Sequence, residues 1–330
     1  MEKEYQYFKR DISWLSFNYR VLLEADDDSL PLYERINFIS IYSSNLEEFY
    51  QIRVADHKAI ISGAKTDEES IQQSEEILKE INEEVNNQLE ERIRIYEHKI
   101  LPALKENHVI FYQSRNVEPF HQQFVKDFFR EEIFPYLQPV PVSKDKVISF
   151  LRDNRLYLAV RLFLKGTKKE DANHLQYFVM KLPYSKVPRF IELPKHGKYY
   201  YLMFIEDIIK ANIGVIFPGY EVDCSYCIKI SRDADIMIDD TISSVDLVEQ
   251  VKKKIKKRKI GAVCRFVYDR AMPDDFLDFL VDAFRIQREE LVPGDKHLNL
   301  EDLRHLPNPS HSIPRMEKPV PMKLNRLNDK

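Results

Sequence analysis

The segment DEESIQQSEEILKEINEEVNNQLEERIRIYEHKILP, residues 67–102, decides how the first third of the chain is read. Leu78, Ile81, Val85, Leu89, Ile93, Tyr96 and Ile100 recur at three- and four-residue spacing, with charged and amide side chains between them. That period puts them on one face of a helix of about six turns, running up to Pro102. Upstream, Leu32, Ile36, Ile39, Leu46, Phe49 and Ile52 keep a helical period from near Pro31 towards Gly63. Before the break at Ser29–Pro31, Trp14, Phe17 and Val21 share a face of a first helix that Asp11 or Ser13 can cap. Short connections between such helices make neighbours antiparallel. Residues 1–106 are therefore expected to form an antiparallel three-helix bundle.

After Glu106 the pattern changes. Short β-rich runs at Leu156–Phe163, Tyr177–Leu182, Tyr199–Phe204, Tyr226–Ile230 and Val263–Tyr268 alternate with helical segments at Phe120–Phe134, Ile205–Ile213, Ser244–Lys259 and Asp274–Phe284. Pro183, Pro188, Pro194 and Pro218 punctuate the loops. This irregular order predicts a mixed α+β head over residues 107–309, not a regular βαβ array. Five prolines between Pro307 and Pro321 break regular structure, so residues 310–330 read as a linker.

Composition narrows the function classes. With 44% hydrophobic and 32% charged residues the chain has the make-up of a soluble protein, and 330 residues favour two domains over one. Seven glycines count against a nucleotide fold built on glycine-rich loops, where backbone N–H groups approach a phosphate only if a Cβ is missing. Three cysteines make no disulfide framework, the start MEKEYQYFKRD has no apolar signal segment, and no run approaches the ~20 apolar residues of a membrane span. The expected location is the cytoplasm, with peripheral membrane association compatible. The net charge of −4 is split between an acidic stretch at Asp67–Glu91 and the basic run Lys252–Lys259, so it names no partner.

Several motifs invite chemistry and fail on inspection. Cys224-x-x-Cys227 lies in an alternating strand pattern, where an offset of three sends the two thiols to opposite faces. Only Cys264 remains elsewhere, so a zinc site lacks ligands. Gly214-x4-Gly219 has P-loop spacing, but Tyr220-Glu221 stands where Lys and Ser/Thr are needed, leaving a helix-ending glycine and a turn. His196-Gly197-Lys198 opens like a phospholipase-D-type element whose acidic position would be Met203. Val248, Val251 and Ile255 make Lys252–Lys259 the solvated face of a helix, with attraction of a polyanion as the alternative.

The stretch Arg10-Asp11-Ile12-Ser13-Trp14-Leu15-Ser16-Phe17-Asn18 resembles the opening of polyphosphate kinases of the two-phospholipase-D-domain type, as does Ser43-Ser44-Asn45-Leu46-Glu47-Glu48-Phe49-Tyr50. Lys186-Val187-Pro188-Arg189-Phe190, Phe217-Pro218-Gly219-Tyr220-Glu221, Asp269-Arg270-Ala271-Met272-Pro273 and Leu298-Asn299-Leu300 continue it across residues 5–309. The resemblance implies an enzyme that reversibly transfers the terminal phosphate of ATP to polyphosphate through a phosphohistidine. It also implies a helical domain touching the nucleotide, a head that makes a homodimer or higher oligomer, and Mg²⁺ as cofactor. The phosphorylated histidine and the metal ligands of that family lie in later domains, so no catalytic and no metal-binding residue is assigned here. ATP and polyphosphate are the expected partners, nucleic acid is not, and the chain alone is expected to be inactive. One site residue carries over by position: Asn45. A carboxamide offers donors and an acceptor in one plane, suited to the edge of a base, without charge to repel phosphate. The other reading is a non-catalytic module that binds nucleotide or polyphosphate, or dimerises, on its own.

Overall fold

The computed structural model describes residues 8–63, 67–142, 151–166, 175–232, 263–310 and 313. Its first part is helical: α1 (Arg10–Glu24), α2 (Leu32–Phe49), α3 (Ala55–Ser62), α4 (Glu68–Ile95) and α5 (Leu101–Glu106). Single π-helical turns at Tyr50–Val54 and Tyr96–Ile100 join α2 to α3 and α4 to α5. The Asp67 carboxylate caps α4 by accepting from the Ser70 backbone N–H at 2.8 Å. Glu68 and Glu69 in the first turn, with Arg92 and Arg94 in the last, suit the helix dipole.

The phase of α1 differs from expectation. Asp11, Leu15, Asn18 and Leu22 are buried, Trp14 and Val21 are half-buried, and Phe17 is 48% exposed. Neither Asp11 nor Ser13 caps the helix; Lys9 holds the N-cap position and Asp11 lies inside the first turn. The inward face of α1 is set by α2 and α4, where two polar side chains find hydrogen-bond partners, and three apolar ones are left at or near the surface. On α4 the buried positions include Ile81, Val85, Leu89 and Ile95, with Ile93 only half-buried. Ile52, expected inside, is 39% exposed. It sits in a π turn, whose wider i→i+5 winding shifts the facing of the residues that follow.

The head has the mixed architecture expected. Its described strands are β1 (Val109–Tyr112), β2 (Pro139–Pro141), β3 (Arg155–Leu164), β4 (Leu175–Lys181), β5 (Phe190–His196), β6 (Tyr199–Phe204), β7 (Tyr220–Arg232), β8 (Val263–Asp269) and β9 (Leu291–Gly294). Its helices are α6 (Pro119–Phe128), α7 (Ile205–Ala211), α8 (Ile213–Ile216) and α9 (Asp274–Phe284). Among the described residues the strands form a small sheet, β1-β6-β5, and a larger one, β2-β4-β3-β7-β8-β9. β1 is parallel to β6 and β9 to β8; the other pairs are antiparallel. The central β3 is buried on both faces: Leu156, Leu158, Val160 and Leu162 join the core shared with the helical part, while Tyr157 and Ala159 meet Phe276 and Leu280 of α9. The helix expected at Ser244–Lys259 and the basic run Lys252–Lys259 lie outside the described residues. Of the expected linker only Ser310 and Ile313 are described, and Ile313 is buried in the shared core.

Alternation along β7 and β8 also produces the joint between the two parts. Cys227, Lys229 and Ser231 share one face of β7. Val267, two residues beyond Arg265 on β8, joins the same shared core as Cys227. Glu47 of α2 is buried against this face. Its carboxylate meets the Lys229 ammonium at 3.2 Å and the Arg265 guanidinium at 3.0 Å, and accepts from the Ser231 hydroxyl. Burial alone would push the Glu47 carboxyl up; the Lys229 and Arg265 cations and the Ser231 bond outweigh it and hold its pKa at about 2. Around this centre Arg92 pairs with Asp295, and the Ser40 hydroxyl donates to the Glu301 carbonyl.

Removing the Glu47 charge should be costly, because two cations are left buried without their partner. Glu47→Gln is expected to lower unfolding stability by about 3–5 kcal/mol, measured by denaturant titration. Folding depresses this carboxyl from its ordinary 4.5, so its contribution is complete above pH ~4.5 and is lost as the pH falls towards about 2. The parent should therefore lose stability across that window, and the variant should show a correspondingly smaller loss. Equal pH profiles would contradict the assignment.

Candidate functional site

Asn45 sits on α2 two residues before Glu47, which is about 200° around the helix, so the two point to nearly opposite sides. It is half-buried, and its Nδ2 donates to Oδ1 of Asn18 on α1 at 3.0 Å. Asn18 is fully buried and anchors itself by donating from Nδ2 to the Tyr42 carbonyl at 3.2 Å. Exposed apolar residues stand near it along the helix and on α1, beside the exposed acid Glu48 one turn on. Ile41, one turn before Asn45, is 38% exposed; Ile52, two turns after it, and Phe17, next to Asn18, are exposed as described above. Trp14 stacks on Phe49 with ring centroids 4.7 Å apart, stiffening the α1–α2 contact.

A polar line runs along the same helices. His57 places Nε2 3.1 Å from Asp11 Oδ2 and Nδ1 3.3 Å from Ser74 Oγ, while Arg10 and Arg53 approach the other Asp11 oxygen at 3.5 and 4.0 Å. The order Ser–His–Asp matches a hydrolytic triad, but Ser74 is buried between helices and offers no substrate an approach. Its evident work is to tie α1, α3 and α4 together. His121 and His297 are likewise committed: His121 lies 2.8 Å from the Pro194 carbonyl and His297 lies 2.7 Å from Asp207 Oδ2. Burial would raise the Asp207 carboxyl, and His297 with the lysines Lys296 and Lys210 lowers it instead.

Two cavities lie elsewhere among the described residues, and Asn45 lines neither. One, of about 820 Å³, opens in the head beside Phe128, Tyr184, Lys186, Arg189 and His305. Its Arg189 is fully engaged, donating to Glu206 at 2.7 Å, to Asp302 at 2.9 Å and to the carbonyls of Leu298 and Asn299. The other, of about 40 Å³, is enclosed at the joint by Glu47, Arg92, Lys229 and Arg265. No group of three or more His, Cys, Asp or Glu side chains able to hold a metal occurs among the described residues, and no helix among them is long and apolar enough to cross a membrane.

Comparison with known proteins accounts for this arrangement. The family model for the polyphosphate kinase N-terminal domain matches residues 7–112, and that for the polyphosphate kinase middle domain matches residues 120–306. The chain belongs to the polyphosphate kinase family. It is 31% identical over 337 residues to the polyphosphate kinase of Vibrio parahaemolyticus, covering 98% of this chain and 46% of that protein. With the Escherichia coli K12 polyphosphate kinase it shares 30% identity over 317 residues, covering 93% of this chain and 44% of that one. The crystal structure of the polyphosphate kinase from Porphyromonas gingivalis superposes with a TM-score of 0.81 at 40% identity, covering 99% of this chain and 45% of that one. The chain thus spans a little under half the length of these relatives.

Several of the motifs singled out in the sequence have structural reasons. Lys186–Phe190 and Leu298–Leu300 meet through Arg189, which binds two carbonyls of the second motif. Asn299 adopts a left-handed backbone, φ 62°, that asparagine tolerates better than most residues. The P-loop-like spacing ends in a turn: Gly219, at φ 89°, precedes β7, and Gly214 lies inside α8. Gly197 makes the β5–β6 turn. Cys227 is in the core shared with the helical part and Cys224 packs on the opposite side of β7.

Burial pushes both thiols up to about 12, with the Asp223 carboxylate 3.3 Å from Cys224 adding to the effect there. Thiolate is therefore scarce at neutral pH. Iodoacetamide at pH 7.5 should modify Cys224 and Cys227 far more slowly in the folded chain than in urea, read by peptide mass mapping. Rapid native-state labelling of either would refute the structural reading.

Proposed function

We propose that this chain supplies the nucleotide-contacting and dimerising parts of an ATP:polyphosphate phosphotransferase, with Asn45 meeting the base of ATP. Residues 1–106 are its nucleotide-contacting helical domain and residues 107–309 its dimerising head. The observation that carries the reading is the placement of Asn45: a carboxamide, half-buried and held by Asn18 of α1, with exposed Ile41 one turn earlier on the same helix and exposed Phe17 adjoining Asn18 in the chain. An apolar surface accepts the face of a purine, and the amide can meet its edge. No Mg²⁺ ligand is assigned among the described residues, which hold no group of three or more His, Cys, Asp or Glu side chains.

Two measurements test this. In a polyphosphate kinase carrying these residues, Asn45→Ala should raise the KM for ATP by about 3- to 100-fold, the equivalent of one or two neutral hydrogen bonds. Asn45→Asp should be worse, because it replaces the donors with a negative charge near a polyanion. The melting temperature should stay near the parent's; normal KM in a well-folded Asn45→Ala enzyme would overturn the site. Separately, the chain alone with ATP and Mg²⁺ should form no polyphosphate and take up no acid-labile phosphate. Phosphohistidine on any of its nine histidines would overturn the placement of the chemistry.

A further inference from the structure

We infer that Asn18 is a positioning residue: it fixes which way the Asn45 amide faces, and so makes the site select a base carrying an amino group over one carrying a carbonyl. The inference rests on the reading of Asn45 as the base contact. It starts from a backbone atom whose role is unambiguous. The Tyr42 carbonyl can only accept, so the group of Asn18 that faces it at 3.2 Å is Nδ2. The Asn18 oxygen is thereby turned towards Asn45, and an oxygen there requires the nitrogen of Asn45 opposite it, at 3.0 Å. The amide of Asn45 is left with Oδ1 and one N–H for a ligand.

With the N–H trans to Oδ1 given to Asn18, that pair is an acceptor beside a donor on one edge of the amide. Adenine offers the complement on one edge, its N6 amino group next to the acceptor N7, the pairing by which asparagine reads adenine in nucleic acids. Guanine presents O6 in place of the amino group, setting acceptor against acceptor. An Asn45 amide free to turn over would lose this distinction, because its nitrogen could then face O6. Asn18 is fully buried and on a different helix from Asn45, so the preference depends on the α1–α2 packing as well as on Asn45 itself.

The test compares ATP and GTP as substrates of a polyphosphate kinase carrying these residues. Asn18→Leu, close in size and without polar atoms, should raise the KM for ATP and reduce the ATP-over-GTP ratio of kcat/KM by about 3- to 10-fold, the range of one neutral hydrogen bond. The effect should fall on KM more than on kcat. If the leucine variant does not fold, Asn18→Ala makes the same release with a smaller side chain and is read in the same way. A folded Asn18 variant with lowered melting temperature but an unchanged ATP-over-GTP ratio would overturn the positioning role and leave Asn45 as the base contact. Asn45→Ala with unchanged KM for ATP would remove both.

Discussion

The buried carboxylate of Glu47 is the constraint on which the arrangement of this molecule depends. A lone charge in that position would cost several kcal/mol, so α2 can occupy its place only if Lys229, Ser231 and Arg265 arrive together on one face of the large sheet. They do so because strand alternation puts Lys229 and Ser231 on the same side of β7 and β8 brings Arg265 alongside. The polar contacts leave the helical part little freedom to roll on the head, since an ion pair with several directional bonds tolerates less displacement than apolar packing. Asn45 lies on the far side of the same helix. Fixing one side of α2 fixes the direction in which the other side faces.

Much of the architecture could be read directly. Asp274–Phe284 and Tyr199–Phe204 are a helix and a strand with the bounds expected, because amphipathic period and aromatic β-rich composition are local properties. What could not be read depends on neighbours. β1, β2 and β9 are three or four residues long, too short for a period to register, and β5 contains Pro194, tolerable because β5 ends its sheet among the described residues. The π turns at Tyr50–Val54 and Tyr96–Ile100 have no marker in composition, yet they shift the facing of everything after them.

The site shows the same division. Asn45 could be singled out only through resemblance, and Asn18 and Glu47 could not be singled out from their types at all. Glu47 reads as one more surface ion on a charged helix; its burial is decided by the cations Lys229 and Arg265, far along the chain on β7 and β8. The signal that was present in α1 was easy to misread. Trp14 and Val21 of the apolar stripe pack half-buried against the core, and it is Phe17 that faces out. Polar Asp11 and Asn18 sit inside while Phe17 stays out.

Energetics explain why such a surface need not be a cavity. One or two neutral hydrogen bonds contribute about 0.5–1.5 kcal/mol each, and stacking a base on an aromatic ring such as Phe17 adds about 1–3 kcal/mol. Against this stand several kcal/mol of lost translational and rotational freedom. A 1 mM dissociation constant already requires about 4.1 kcal/mol net. On the proposed reading, the Asn45 surface would orient and select a base without by itself holding a nucleotide tightly. Most of the affinity has to come from groups that meet the phosphates, where charge-assisted bonds are stronger. Separating selection from affinity in this way makes the orientation of a single amide matter: with little binding energy available at the base, discrimination depends on the few bonds there being correctly directed.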